Sequence, residues 1–339
     1  MIRCQLRNAS KRLREKYAPT FLSPRKQVER RRASVRRRRK GDPMLVSMRD
    51  ICQIAEQKNM AIAAVNSASL EAIRAAIEVA EETHYPIIIQ HAQAHESLIP
   101  LKCVAPIVTS LAERSSAMIC FNLDHCGDLA YAREALDLGF TGVMFDGSAL
   151  PYERNVELSS YVAQMCAEYD AGLECELGSM GSREAGERDE GGTAEEAGAI
   201  YTDPDKAQDF VTRTGLDILA CSFGTVHGLY RGEPHLNYQV LTDIRDRVKV
   251  PLVMHGGSGL SDEQYHNSID AGVRKINYYT YGVKYAGEAV RKMIDEKVSA
   301  DAAVNVYWHD MTTAAHESLV KTFEHVVRVF ANGAEPFVN

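Results

Sequence analysis

The chain has 339 residues, of which 45% are hydrophobic and 25% are charged, the composition of an ordinary globular protein. No run approaches the roughly 18 consecutive apolar residues of a membrane-spanning helix, so we expect no membrane partner. The net charge of −7 is unevenly distributed, because residues 1–40 carry 16 Lys and Arg against two acids. The rest of the chain holds 23 basic and 44 acidic side chains and is therefore strongly acidic.

The basic N-terminal segment, residues 1–43, has three interpretations. Arg-rich, acid-poor N-termini resemble organelle transit peptides, and basic tails also bind nucleic acid or anionic surfaces. We favour the third, a disordered extension ahead of the first regular segment, because the arm lacks apolar periodicity. The acidic body would repel a phosphate backbone, which argues against a nucleic-acid partner.

Eight cysteines are scattered along the chain without a Cys-x-x-Cys pair, and several lie in apolar runs. Buried free thiols in a reducing compartment explain this pattern better than disulfides or a zinc–cysteine site. We therefore predict a cytoplasmic protein.

Beyond residue 44, short apolar runs alternate with longer amphipathic segments. The runs are continuously apolar, which indicates strands buried on both faces of a parallel sheet. Eight such strand–helix units predict an α/β fold, a closed (β/α)8 TIM barrel that forms a single domain over residues 44–339. A Gly-x-Gly-x-x-Gly motif does not follow the first run, which weakens the doubly wound alternative. The predicted strands are 61–66, 86–91, 117–124, 141–147, 172–178, 218–224, 251–256 and 273–280.

Three of these runs end in a histidine: His125, His227 and His255. A single histidine at a strand end is more often structural than functional. Three of them, on the third, sixth and seventh strands, would meet at the C-terminal mouth of the barrel, where such enzymes place their active sites. The three imidazoles could bind one zinc ion and leave a fourth position open for substrate.

Glycines and hydroxyl groups follow the last two strands. Gly256, Gly257 and Ser258 come directly after His255, and Thr280 ends the eighth strand. The loops after strands 7 and 8 are the usual phosphate site of these barrels, because glycines let backbone N–H groups approach an anion. The pattern predicts a phosphorylated ligand beside a metal.

Six motifs in this order resemble the class II, zinc-dependent ketose-bisphosphate aldolases, a family that includes fructose- and tagatose-bisphosphate aldolases. The resemblance extends from about Met44 to about residue 297. The motifs are Leu-Asp-His at 123–125, Phe-Asp-Gly-Ser at 145–148, Glu-Cys-Glu-Leu-Gly at 174–178, Gly-Thr-Val-His-Gly at 224–228, His-Gly-Gly-Ser-Gly at 255–259 and Lys-Ile-Asn-x-x-Thr at 275–280.

The resemblance implies a lyase of carbohydrate metabolism and glycolysis. It would cleave a ketose (bis)phosphate reversibly to dihydroxyacetone phosphate and an aldehyde, through a metal-stabilised enediolate. The three histidines would hold the catalytic Zn2+, and Asp124 would be the acid/base at the scissile bond. Asp146 and Glu176 match positions that can contact a second or displaced metal. The family forms dimers and tetramers, so a homodimer or homotetramer is expected.

Further roles follow from the same resemblance. Glu184, in the long segment 179–200, matches a mobile glutamate that moves a proton on the dihydroxyacetone phosphate carbon. Such a segment would act as a lid that excludes water. The implied contacts to the substrate, its phosphate and a monovalent cation (Na+ or K+) are Asn66, Gly228, Gly256, Gly257, Ser258, Asn277 and Thr280.

Several residues depart from the family pattern, of which four bear on specificity: His91, Cys126, Tyr278 and Tyr279. They fall mostly where the ends of the substrate are bound, so the aldol chemistry is expected to survive although the substrate need not be fructose 1,6-bisphosphate. The alternative is a catalytically weak barrel that serves as an assembly or regulatory subunit of an aldolase. The intact metal and acid/base residues argue against it.

Overall fold

The computed structural model describes residues 45–178, 201–230 and 232–337. Eight strands pair in chain order, each parallel to the next, and β8 pairs with β1 to close the barrel. The predicted (β/α)8 barrel is therefore confirmed, and it lies in one compact unit, Pro43–Asn339. The strands are β1 Ile62–Asn66, β2 Ile87–Ala92, β3 Ile119–Cys126, β4 Gly142–Phe145, β5 Gly172–Leu177, β6 Ile218–Cys221, β7 Leu252–Met254 and β8 Val273–Tyr278.

A helix follows every strand, one helix precedes β1, and one more ends the described chain. The helix after β2, Leu101–Ala112, contains Pro106, which removes a backbone hydrogen bond from its interior. The helices are α1 Met48–Lys58, α2 Leu70–Thr83, α3 Leu101–Ala112, α4 Leu129–Asp137, α5 Tyr152–Glu168, α6 Pro204–Thr214, α7 Tyr238–Val248, α8 Asp262–Asp270, α9 Thr280–Ala300 and α10 Trp308–Phe330.

Short polar side chains set where several helices begin. Ser69, Asp128, Asp203 and Ser261 each accept a backbone N–H from the first turn of the helix that follows. This satisfies donors that have no partner inside the helix and stabilises each start by about 1 kcal/mol. None of the described helices is both long and apolar enough to cross a membrane.

The barrel has an apolar layer on the outside of its strands. The C-terminal helix α10 packs against α2 and α9 and buries Phe323 and Phe330 in that layer. The ring of Phe330 lies 4.7 Å from the ring of Tyr265, which α8 supplies. Helices far apart in sequence are thereby held onto one barrel.

The inside of the barrel is polar near the C-terminal ends of the strands. Residues two apart in a strand share a face, so Glu174 and Glu176 on β5 lie on the same side. The same spacing puts Lys275 and Asn277 together on β8. All four side chains are buried. Buried polar groups require partners, and Glu174, Lys275 and Asn277 find them in one another across the barrel mouth.

Candidate active site

The three predicted histidines converge at the C-terminal mouth of the barrel. His125 Nε2 lies 2.8 Å from His255 Nδ1. The ring of His227 lies 5.1 Å from that of His125 and 5.8 Å from that of His255, centre to centre. One nitrogen of each ring falls within 4.8 Å of the others, a spacing that one metal ion could span.

The backbone at the end of β3 contributes to this convergence. His125 has a φ of 41°, a left-handed conformation that is uncommon for a residue other than glycine. The pairing of β3 with β4 shifts register between Leu123 and Cys126. The irregular strand end therefore turns the His125 ring out of the strand's ordinary alternation and toward His255.

Two of the rings have a carboxylate on the nitrogen that faces away from the convergence point. Asp146 Oδ2 lies 3.1 Å from His125 Nδ1, and Glu174 Oε1 lies 2.6 Å from His255 Nε2. A carboxylate can only accept, so each far nitrogen must donate its N–H, which leaves the two near nitrogens to face one shared cation, a metal or a proton. This is the arrangement that metal-binding histidines adopt.

The surroundings of the site shift the pKa values of two of its histidines in opposite directions. Burial and the neighbouring His125 lower the pKa of His227 to about 3, so that ring is neutral and able to bind a metal. Burial alone would lower the pKa of His125, but Asp124, Asp146 and Glu176 raise it to about 10. The carboxylates around His125 therefore favour a cation at this position, either a proton or a metal.

Glu176 gives further evidence that the residues fit a metal. Burial and Asp146 raise the pKa of Glu176 to about 8. Its Oε2 atom is buried without a hydrogen-bond partner among the described residues and lies 3.8 Å from His255 Nδ1. His125, Asp146 and Glu176 form a second group whose ligand atoms lie within 4.8 Å of one another.

Asp124 lies beside this cluster and is almost fully buried. Asn66 Nδ2 donates to its Oδ2 at 2.9 Å, and Asn277 Nδ2 donates to its Oδ1 at 3.3 Å. Burial alone would raise the pKa of Asp124, but the charges of His125 and Lys275 and the Asn66 bond hold it well below its usual range. The residue is therefore held as a carboxylate with both oxygens oriented.

The comparison with known proteins agrees with this geometry. Residues 46–334 match the class II fructose-bisphosphate aldolase family. The chain belongs to this family. It is 34% identical over 282 residues to a protein of Klebsiella oxytoca named D-tagatose-1,6-bisphosphate aldolase subunit GatY, covering 83% of this chain and 97% of that relative. The predicted enzyme class, a ketose-bisphosphate aldolase, is thus confirmed.

Solved structures support the same fold. The crystal structure of the YdjI aldolase from Escherichia coli K12 shares 26% identity and superposes with a TM-score of 0.73, covering 86% of this chain and 98% of that one. The fructose-bisphosphate aldolase of Campylobacter jejuni shares 22% identity with a TM-score of 0.72, covering 86% and 97%. At 22% identity, the second likeness concerns the fold alone.

The glycine loop of the aldolase lies where the sequence puts it, directly after His255. Gly256 has a φ of 62°, and a Cβ there would lie 2.3 Å from the carbonyl oxygen of Val226. Only glycine therefore allows the loops after β6 and β7 to approach so closely. Ser258 Oγ accepts the N–H of Tyr279 at 2.9 Å, which ties this loop to the start of α9 at Thr280.

Other predicted substrate contacts occupy different surroundings. Asn277 lies deeper, where its amide bonds Lys275 and Asp124. Asn66 also bonds Asp124, and Gly228 directly follows His227 with a φ of 93°. Glu184 and the segment 179–200 lie outside the described residues.

Three of the four departures from the family pattern are packing residues. His91 is fully buried, with Nε2 3.1 Å from the Tyr131 hydroxyl, and Cys126 and Tyr278 are buried in the core. Tyr279 differs, because it is half-buried and its ring lies 4.9 Å from that of His95.

Sequence analysis assigns no role to two members of the site, Glu174 and Lys275, although both lie within the family motifs. The available signal was the two-residue spacing of Glu174 with Glu176 and of Lys275 with Asn277, which puts each pair on the inner face of its strand. Their partners could not be identified from the spacing, because Glu174 and Lys275 lie on different strands.

Proposed function

We propose that this aldolase depends on zinc, which His125, His227 and His255 would hold, and that it cleaves a ketose bisphosphate to dihydroxyacetone phosphate and an aldehyde. The observation that carries the proposal is the approach of His125 Nε2 and His255 Nδ1, each with a carboxylate on its other nitrogen. A zinc ion there would act as a Lewis acid that polarises the substrate carbonyl.

Asp124 is the proposed acid/base. Its two amide donors and its low pKa keep it ionised, so in the cleavage direction it can accept the proton of the hydroxyl at the scissile bond. In the synthetic direction it returns that proton to the new hydroxyl. The two amides fix the orientation of the carboxylate.

Asp146 and Glu176 are proposed to serve a second or displaced metal position, which the unpartnered Glu176 Oε2 supports. The substrate phosphate and a monovalent cation, Na+ or K+, are proposed to bind the loops after β6, β7 and β8. Proton transfer by Glu184 is proposed from the family resemblance alone. The proposed contacts of these loops and of β1 are Asn66, Gly228, Gly256, Gly257, Ser258, Asn277 and Thr280.

The substrate is proposed to be a six-carbon ketose 1,6-bisphosphate of the fructose or tagatose kind. The tagatose isomer is favoured by the name of the 34% identical relative. That name includes the word subunit, which favours the alternative of an assembly or regulatory partner of a separate aldolase.

The test is retro-aldol turnover of a panel of ketose mono- and bisphosphates, with and without a chelator, on wild type and His227→Ala. We expect chelator-sensitive release of dihydroxyacetone phosphate, a fall of about 10³-fold or more in His227→Ala, and reactivation by zinc in wild type alone. Stoichiometric zinc without turnover on any sugar would favour the subunit alternative. Chelator-resistant turnover would contradict the zinc mechanism.

We also propose a cytoplasmic protein whose residues 1–43 are an extension outside the barrel. Seven cysteines in the described part are free, and six of them are buried, as expected in a reducing compartment. A homodimer or homotetramer is proposed, with α9 and α10 as candidate contacts because Tyr307 and Trp308 are exposed there. Light scattering on the full chain and on residues 44–339 tests the oligomeric state and whether residues 1–43 contribute to it.

A further inference from the structure

Lys275 is a fully buried lysine in the interior of the barrel. Its Nζ lies 2.8 Å from Glu174 Oε2 and 2.7 Å from Asn277 Oδ1. Because the amine is fully buried and bonded to these two partners, Lys275 is not presented to substrate as a nucleophile. Burying the lysine charge is costly unless its partners are well placed. The role of Lys275 is therefore to be sought in the groups that it contacts.

One branch of contacts leads from Lys275 to a proposed metal ligand. Glu174 uses Oε2 for Lys275 and Oε1 for His255 Nε2. Because Glu174 can only accept, the proton of His255 must sit on Nε2. The lone pair on Nδ1 then faces His125, where the metal is proposed to bind.

A second branch leads from Lys275 to the proposed acid/base. An ammonium group can only donate, so the oxygen of the Asn277 amide must face Lys275. The NH2 group of Asn277 therefore faces Asp124 and donates to Oδ1. Lys275 and the Asp124 carboxylate thus favour the same orientation of this amide, and without Lys275 its buried oxygen would lose its donor.

The other amide bonded to Asp124 has no such anchor. Asn66 is oriented by Gln90, and Gln90 by Asn122. That chain ends at Asn122 Oδ1, which has no hydrogen-bond partner among the described residues. Both runs take their direction from the Asp124 carboxylate, which can only accept, but among the described residues only the Asn277 run is closed at its far end by a charged donor, Lys275.

We propose that Lys275 is a positioning residue that holds the Glu174 carboxylate against His255 and the Asn277 amide against Asp124, and so prepares the metal ligand and the acid/base together. The inference rests on the proposed function for its consequence, since both ends of the network are assigned there. Its physical basis is that Lys275 has donors alone while Glu174 and Asp124 have acceptors alone, so that every bond of the network has one permitted direction.

The positioning role of Lys275 should be visible in the proton position of His255 when Glu174 is replaced, which a merely structural ion pair would not affect. In Glu174→Gln, Lys275 would draw the glutamine oxygen toward itself and turn the NH2 group toward His255 Nε2. That ring would then carry its proton on Nδ1, the nitrogen needed for the metal. Adding Lys275→Met frees the amide to turn over and offer its oxygen to His255, which restores the original tautomer.

The experiment measures zinc affinity by competition with a chromophoric chelator on the full chain, with folding checked by circular dichroism. We expect Glu174→Gln to weaken zinc binding by about 10–100-fold, and the double variant with Lys275→Met to recover part of that loss. The matched control is the exposed pair Lys292 and Glu296, whose nitrogen and oxygen lie 3.7 Å apart. Lys292→Met and Glu296→Gln should leave zinc affinity unchanged, singly and together.

The second measurement is turnover at saturating zinc. Lys275→Met should lower kcat by about tenfold or more through loss of Asp124 orientation, and Asn277→Ser should lower kcat without changing zinc affinity. Were Glu174→Gln unable to fold, Lys275→Met would carry the test through this loss of kcat.

Two outcomes would overturn the proposal: a double variant that binds zinc as weakly as a folded Glu174→Gln, or a Lys275→Met that behaves like Lys292→Met. Failure of the proposed function looks different, because wild type itself would then lack zinc-dependent cleavage. The zinc-affinity pattern does not depend on knowing the sugar.

Discussion

The layer outside the barrel strands and the interior of the barrel are buried to the same degree, but the outer layer is apolar and the interior is polar and charged. Outside the strands, Phe210 and Phe330 are fully buried among apolar side chains. Inside, Glu174, His255 and Lys275 are equally buried and are joined by charged contacts. The outer face holds the fold together by hydrophobic burial, whereas the inner face accepts desolvation in return for fixed orientation of reactive groups.

The largest effect expected from a single change inside the barrel is at Asp124. Asp124→Asn removes the proposed acid/base, so kcat should fall by about 10²–10⁴-fold, measured as dihydroxyacetone phosphate release. Zinc content should stay stoichiometric, because Asp124 is not a proposed metal ligand. A variant that lost its zinc, or one with nearly wild-type kcat, would contradict this assignment.

A change in the outer layer should have the opposite profile. Phe330→Ala removes a ring packed 4.7 Å from Tyr265, and we expect the free energy of unfolding to fall by about 3–5 kcal/mol. The folded fraction should keep the wild-type KM. Lys321→Ala is the control, since Lys321 is exposed on the same helix and its loss should change stability by about 0.5 kcal/mol or less. Equal destabilisation of the two variants by urea would refute the argument.

The smallest expected effect tests a helix end that belongs to neither face. Ser261 caps α8 in a capping box with Gln264. Ser261→Ala should lower the unfolding free energy by about 1 kcal/mol, and Ser261→Asp, which keeps an acceptor, should restore most of it. Thermal unfolding measures both. No difference between the alanine and aspartate variants would mean that the cap contributes nothing measurable.

Much of the barrel could be predicted from local patterns. Continuous apolar runs such as 218–224 mark strands covered on both faces, and such strands end at one rim. This pattern therefore predicts that His125, His227 and His255 meet. The surroundings of two neighbouring tyrosines could not be predicted in this way, since Tyr278 is buried in the core while Tyr279 lies against His95. Which of two adjacent residues faces outward depends on the exact strand register.

By itself, the sequence determined the strand–helix alternation, the positions of the three histidines and the motifs of the aldolase family, because each is written within a few consecutive residues. The tertiary structure decided which polar residues meet. Glu174 and Lys275 are separated by a hundred positions and approach only when the barrel closes. Likewise, Asn277 bonds Asp124 across the mouth rather than a neighbour in its own loop. Hydrogen-bond partners across a closed sheet depend on its register, and no local pattern of residues carries that information.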